Sequence, residues 1–205
     1  MTKQHISFSE LKTWAECPFK HKLKYIDGIN GFTGNVFTAF GTAIHDVCEN
    51  IAKDTIEPEE YEDHFDLAFL CELKKLDEKP DTGMITQMRK QGKAISPSVF
   101  PKLKEQFGEY EVFSTEEKLY VPIEELPYRW HLKGFIDLVI KTADGKYHIL
   151  DWKSCSWGWD AKKRSEKLVT YQLTLYKKFF CKKHNIDEAL VETHFGLLKR
   201  TAKDN

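Results

Sequence analysis

The stretch between residues 132 and 153 constrains this chain most, because a short hairpin there decides which side chains share a face. Segments 132–140 and 147–151 are rich in aromatic and β-branched residues, and Ala143-Asp144-Gly145 between them is turn material, which predicts a β-hairpin. A three-residue loop with Gly145 in the left-handed region pairs Thr142 with Lys146 and sets Asp137 opposite Asp151 on one face. A two-residue Asp-Gly turn would shift the register by one and send the carboxylates to opposite faces. In the second strand Asp151 and Lys153 share a face, while Trp152 between them points into packing.

Two carboxylates this close repel each other unless a cation compensates, and a hard divalent ion would hold both ionised. Lys153 then has two jobs open to it. It could position and help deprotonate an attacking water, or neutralise charge developing on a phosphorane-like transition state. Acids, a lysine and a divalent ion are the equipment for cutting a phosphodiester, so the expectation is a metal-dependent nuclease. An isolated Asp-x-Lys is commonly only a solvated strand face. Gln172 and Tyr176, four apart, stack on one face of a following helix whose Leu168, Leu175 and Phe179 supply an ordinary core stripe. The order and spacing of all these pieces carry the reading.

The rest of the chain reads as one α/β domain with a mixed sheet and a helical N-terminal part. The helical part covers about 1–110 and the catalytic sheet and helix about 111–205. Ser7-Phe8-Ser9-Glu10 is a capping box opening a helix with Phe8, Leu11, Trp14 and Ala15 on its buried side. Segment 28–34 is a loop, 38–52 a helix carrying His45, and 59–76 a further helix with Phe65, Leu67, Phe69 and Leu73 amid acids. Segment 78–101, with Pro80, Gly83, Gly92, Pro97 and Pro101, is expected to be a mobile connection or a crossing over the active-site cleft, where helical insertions vary freely. Segments 111–123, 165–184 and 191–199 read as strand, helix and strand.

With 205 residues, 41% of them hydrophobic, the chain can bury a sizeable core, and no apolar run approaches the length of a membrane span. Its opening residues are short and polar, with no signal-peptide pattern, and five unpatterned cysteines suit a reducing cytoplasm. A net charge of −1 leaves nucleic-acid binding to local patches. Lys162, Lys163, Arg164 and Lys167 follow the Asp-x-Lys strand beside Trp157 and Trp159, a mix that suits a single-stranded backbone with stacking bases. Lys20, His21, Lys22 and Lys24 make a weaker patch.

Taken in order, these motifs resemble the RecB-like branch of the PD-(D/E)XK nuclease superfamily, which includes the RecB and AddB nuclease domains and CRISPR-associated RecB-like exonucleases. The similarity starts at the helix 8–20, Phe-Ser-Glu-Leu-Lys-Thr-Trp-Ala-Glu-Cys-Pro-Phe-Lys. It runs on through Gly41-Thr42-Ala43-Ile44-His45, Glu117, Asp137, Asp151-Trp152-Lys153 and the Gln172-x-x-x-Tyr176 helix. The resemblance implies a restriction-endonuclease-like core with a central mixed sheet flanked by helices. It implies His45, Asp137, Asp151 and the Trp152 backbone carbonyl as ligands of Mg²⁺ or Mn²⁺, and Lys153 as the catalytic lysine. Gln172 and Tyr176 would orient that lysine and the nucleic-acid backbone, and Glu117 is a further candidate.

Cys17 stands where several relatives place the first ligand of an iron-sulfur cluster. The other cysteines, Cys48, Cys71, Cys155 and Cys181, are scattered with no C-x-x-C pair, so no cluster is expected and Cys17 is a small buried residue at the joint before Pro18. The expected activity is a DNA exonuclease processing ends in recombination, repair or phage replication, in the cytoplasm of a bacterial or phage-infected cell. A structure-selective endonuclease and a binding subunit that needs a helicase or recombination partner are the other readings; no helicase P-loop is present. The last strand leads to further structure in relatives, leaving a minimal and a truncated form both open. Oligomeric state is open as well.

Overall fold

The computed structural model describes residues 4–29, 31, 33–126 and 130–201. Its centre is a five-stranded sheet: β1 (His5–Ser7), β2 (Tyr110–Pro122), β3 (His131–Thr142), β4 (Tyr147–Cys155) and β5 (Val191–Lys199). Strand β3 is antiparallel to both β2 and β4 and parallel to the short β1, and β5 runs parallel to β4. The sheet is therefore mixed. The hairpin keeps the three-residue loop: the Thr142 N–H donates to Lys146 O at 3.0 Å, and Gly145 takes φ +83°.

Helices cover both faces. On one side lie α3 (Val36–Ala52), α4 (Tyr61–Leu73), α5 (Thr82–Ile95) and α6 (Val99–Phe107), whose Phe40, Ile44, Phe65, Phe69 and Met88 pack with Leu138, Ile140, Leu150 and Trp152 of the sheet. On the other side α8 (Lys167–His184) sets Leu173, Tyr176, Phe179 and Phe180 against Leu119, Ile136, Val139 and Ile149. Asn35 begins α3 two residues ahead of the predicted start because its side chain accepts from the Phe37 and Thr38 N–H groups while Thr38 Oγ1 accepts the Asn35 N–H. Left-handed Asn185, at φ 54°, closes α8. Among the described residues no helix is long and apolar enough to cross a membrane.

Three expectations need correction. Segment 78–101 is not a mobile connection but mostly helical, as the other reading of it allowed, forming α5, a 3₁₀ turn (Ser96–Ser98) and the start of α6, with Met88 and Gly92 buried. In α1 (Phe8–Glu16) the buried side chains are Glu10 and Thr13, while Trp14 is 57% exposed and Ala15 also faces out. Polar groups can face inward there because His21 Nε2 lies 3.1 Å from Glu10 Oε1 and Thr13 Oγ1 donates to Ser9 O. Cys17 is half-buried rather than buried: it caps α2 (Pro18–His21), its thiol accepting from the Lys20 N–H.

Gly196 on β5 lies against the buried Trp152 ring so closely that an added Cβ would sit 2.1 Å from Trp152 Cε3. Gly196→Ala should force the indole out of its place and destabilise the protein by about 1–3 kcal/mol. Urea unfolding would measure this, and an unchanged midpoint would mean that the ring has space to move.

Candidate active site

Any strand has two edges to pair, and β3 gives one of them to β2 along nearly its whole length. On the other edge its first residues, 131–133, pair with β1 and its last, 138–141, with β4. Asp137 falls at the changeover. The predicted register holds through Leu138↔Leu150 and stops there. Continued, it would join the Trp152 N–H to the Ile136 carbonyl; instead that N–H donates to Asp137 Oδ2 at 2.6 Å.

A change of phase accompanies the gap. Leu132 and Ile136 lie in the core under α8, as does Val139, whereas Leu138 and Ile140 lie in the core under α3. Strict alternation cannot put Ile136 and Val139 on one face, so the strand shifts phase around Asp137. Across from it on β2, between the pairs Thr115↔Leu138 and Glu117↔Ile136, Glu116 adopts φ +45°, a conformation non-glycine residues rarely take. The kinked pair lies beside α3, where His45 sits one residue beyond the fully buried Ile44.

The side chains drawn together here come from both sides of the sheet. His45 Nδ1 is 3.6 Å from Asp137 Oδ2. Burial alone would lower the histidine pKa, but the hydrogen bond and charge of Asp137 outweigh it and hold the imidazole above its ordinary value. Asp151, only 2% exposed, accepts from Gln172 Nε2 at Oδ1, 2.8 Å, and its Oδ2 touches the Lys153 ammonium. Burial pushes Asp151 up to about 6; Lys153 opposes that rise and Asp137 adds to it. The same Gln172 amide donates to the Tyr176 hydroxyl at 3.2 Å. Burial lifts that hydroxyl to about 12, so it stays neutral. Gly134 makes room for the tyrosine ring: a Cβ there would lie 2.9 Å from Tyr176 Cε1.

The residues present fit a hard divalent cation. Asp151 Oδ2 is buried and makes no hydrogen bond of good geometry, despite its contact with Lys153. A buried carboxylate oxygen in that condition, beside a second carboxylate and an imidazole, is the donor set such an ion takes.

His45, Asp137, Asp151, Lys153, Gln172 and Tyr176 are thus brought together, with Trp152 contributing its backbone while its ring is buried against Gly196. Gln172 reaches the Asp151 carboxylate rather than the lysine it was expected to orient. Glu117 is not part of the group: it turns under α8, with His184 Nε2 at 2.8 Å and the Lys183 ammonium at 2.5 Å. Burial would raise its pKa, but hydrogen bonds from Lys183 and His184 hold it below the usual carboxylate range.

Its neighbour Glu116 is the acid at the site. Burial raises its pKa, as do the charges of Asp137 and Glu49, against the lowering effect of His45 and Lys53. Simple alternation selects either member of the Glu116-Glu117 doublet, and only the kink decides between them. The basic segment follows at once: Trp157 is 84% exposed in the loop after β4, and Lys162, Lys163 and Arg164 occupy the short α7 (Ala161–Ser165), with Lys167 opening α8. Trp159 is a packing residue, its ring 4.9 Å from that of Phe195.

The family model of the PD-(D/E)XK nuclease superfamily matches residues 5–202. The chain belongs to that superfamily. The mixed sheet flanked by helices is the superfamily's restriction-endonuclease-like fold, and membership makes the protein a metal-dependent nuclease. No curated protein matches the chain at a significant level.

Asp151 also makes stability depend on pH. Its folded-state pKa is raised to about 6, so between about pH 4 and pH 6 the folded protein holds a proton the unfolded chain releases, and stability falls as pH rises through that window. Without metal, Asp151→Asn should be more stable than wild type above pH 7, by on the order of 2 kcal/mol, and the gap should close near pH 4. Urea unfolding in chelator at both pH values tests this; a gap independent of pH would show that Asp151 ionises freely.

Proposed function

We propose that this chain is a RecB-like deoxyribonuclease that removes nucleotides from free DNA ends, with a preference for single-stranded substrate. The observation that carries the reading is the meeting of Asp137, Asp151, Lys153 and His45 where β3 exchanges β1 for β4. His45, Asp137, Asp151 and the Trp152 carbonyl hold Mg²⁺ or Mn²⁺ in this proposal, and Glu116 takes the place first given to Glu117. The bound ion would lower the pKa of a coordinated water and offset charge on the scissile phosphate. Gln172 fixes one oxygen of Asp151 and leaves the other toward the ion and Lys153. Lys153 supplies positive charge to the reacting phosphate, while Tyr176 remains a neutral hydroxyl that anchors Gln172.

Support for a single-stranded substrate comes from the exposed Trp157, which lies directly after β4 and ahead of the cations of α7. An indole beside cations offers a base a stacking surface and a backbone its counter-charges. A digest of linear and circular DNA, single- and double-stranded, tests the proposal. Loss of linear substrate alone supports an exonuclease, cutting of circles would make it an endonuclease, and binding without cleavage would point to a missing helicase or recombination partner.

Asp151→Asn and Lys153→Ala should each lower the cleavage rate on the order of a hundredfold or more while circular dichroism stays native. Full activity in either would remove the site. Cleavage should stop in chelator and return with Mn²⁺ at least as well as with Mg²⁺, since the imidazole ligand suits manganese better.

His45→Ala and Glu116→Gln should raise the Mn²⁺ concentration needed for half-maximal rate more than they change the saturated rate, whereas Glu117→Gln should leave the metal requirement alone. Because Asp137 holds His45 above its ordinary pKa, a proton competes with the metal early as pH falls. Acid loss of activity should therefore shrink at high Mn²⁺ in wild type. A metal curve for His45→Ala that overlays wild type would return the imidazole to a purely structural place.

A further inference from the structure

We propose that His148, Glu192 and His194 form a second metal site, separate from the catalytic one, that takes a borderline d-block dication such as Zn²⁺ and ties β4 to β5 at the hairpin end of the sheet. In the parallel ladder His148 pairs with Glu192 and Leu150 with His194, so the three side chains stand on one face as a cross-strand neighbour and a diagonal one. One ligand atom from each can be chosen so that all lie within 4.8 Å of one another. His148 Nδ1 is 3.1 Å from His194 Nε2 and 3.8 Å from Glu192 Oε2. Two nitrogens sharing a tetrahedral zinc at its usual bond length are about 3.3 Å apart, so the imidazoles already stand near ligand spacing.

The surrounding groups set the histidine that such a site needs. The Thr142 hydroxyl donates to Asp144 Oδ1 at 2.5 Å, so its oxygen is free to accept from His148 Nε2, 3.2 Å away. That bond puts the His148 proton on Nε2 and turns the Nδ1 lone pair toward His194 and Glu192, the tautomer control usual for a metal-bound imidazole. Lys146 holds Glu192 Oε1 at 2.7 Å and leaves Oε2 on the histidine side. Burial keeps both imidazoles below their ordinary pKa, hence neutral and able to donate. Phe107 of α6 walls the group, its ring 4.7 Å from His148 and 5.1 Å from His194. A cavity of about 490 Å³ bounded by Gln106, Phe107 and Glu109 gives an ion entry and gives water the fourth position.

Two nitrogens and one carboxylate select zinc-like ions over Mg²⁺, the opposite preference to that of the oxygen-rich catalytic group. The two sites are also separate along β4, with His148 near the hairpin and packed against Phe107, and Asp151 further along the strand and bonded to Gln172. Without an ion the same imidazoles could simply share a ring-to-ring hydrogen bond, and that is the outcome the experiment must separate.

Zn²⁺ is titrated calorimetrically into the full chain in excess Mg²⁺, and Co²⁺ absorbance reports ligand geometry, for wild type, His194→Gln, Glu192→Gln and Asp151→Asn. The expected result is one zinc bound at micromolar or tighter affinity with a tetrahedral cobalt spectrum, kept in Asp151→Asn. His194→Gln should weaken it a hundredfold or more, and Glu192→Gln by a smaller factor. His194 and Glu192 are only half-buried, so both variants should fold, and native circular dichroism confirms it. Zinc binding absent from folded wild type, unchanged in His194→Gln, or lost in Asp151→Asn would each overturn the proposal.

Discussion

One hydrogen bond stands at the centre of this structure, from the Trp152 N–H to the Asp137 carboxylate. A buried N–H has to be paired, and where the β3–β4 ladder ends a carboxylate takes over from a carbonyl. The bond lets two strands part without leaving the Trp152 N–H unpaired. It fixes Asp137 against the strand that carries Asp151 and Lys153, and it directs the same oxygen toward His45. The carboxylate of Asp137 and the end of the ladder are thus one feature. On the far side of the strand the Trp152 ring is clamped on Gly196, so the peptide that makes the bond is held by packing as well.

Much of this arrangement could be read from the chain. Ala143-Asp144-Gly145 specifies a loop length and the loop length a register, which holds as far as Leu138↔Leu150 and ends one residue short of the expected Asp137–Asp151 pair, where the bond from the Trp152 N–H to Asp137 takes over. The last strand and the Gln172-Tyr176 helix follow from equally local patterns. What could not be read is non-local. β1 has three residues and exists only because β3 offers it an edge. Glu116 and Glu117 differ in surroundings because of a kink, and alternation, the rule that sequence reading relies on, is the property a kink removes.

The helical segment after residue 78 shows a different limit. Glycine and proline left a mobile connection and a helical crossing both open, and each has a helical use here. A Cβ on Gly92 would lie 1.9 Å from Phe65 Cζ, so this glycine lets α5 close onto α4. Pro97 falls in the 3₁₀ turn Ser96–Ser98 and Pro101 in the first turn of α6, where a missing N–H costs nothing. These residues mark close packing and helix starts.

The kink at Glu116 also bears on how this protein keeps to itself. Strand β2 pairs with β3 alone among the described strands, and Val112 and Tyr120 along it are exposed, so a long, partly apolar rim faces outward, where Lys118 O and Pro122 O accept from the α8 lysines Lys183 and Lys182. A flat rim of that kind is a template for a stranger's strand. The register shift after Val112 and the left-handed turn of Glu116 break it into short lengths that no straight strand can follow. The distortion that sets Glu116 within the charge field of Asp137 and His45 thereby also guards the open side of the sheet against aggregation.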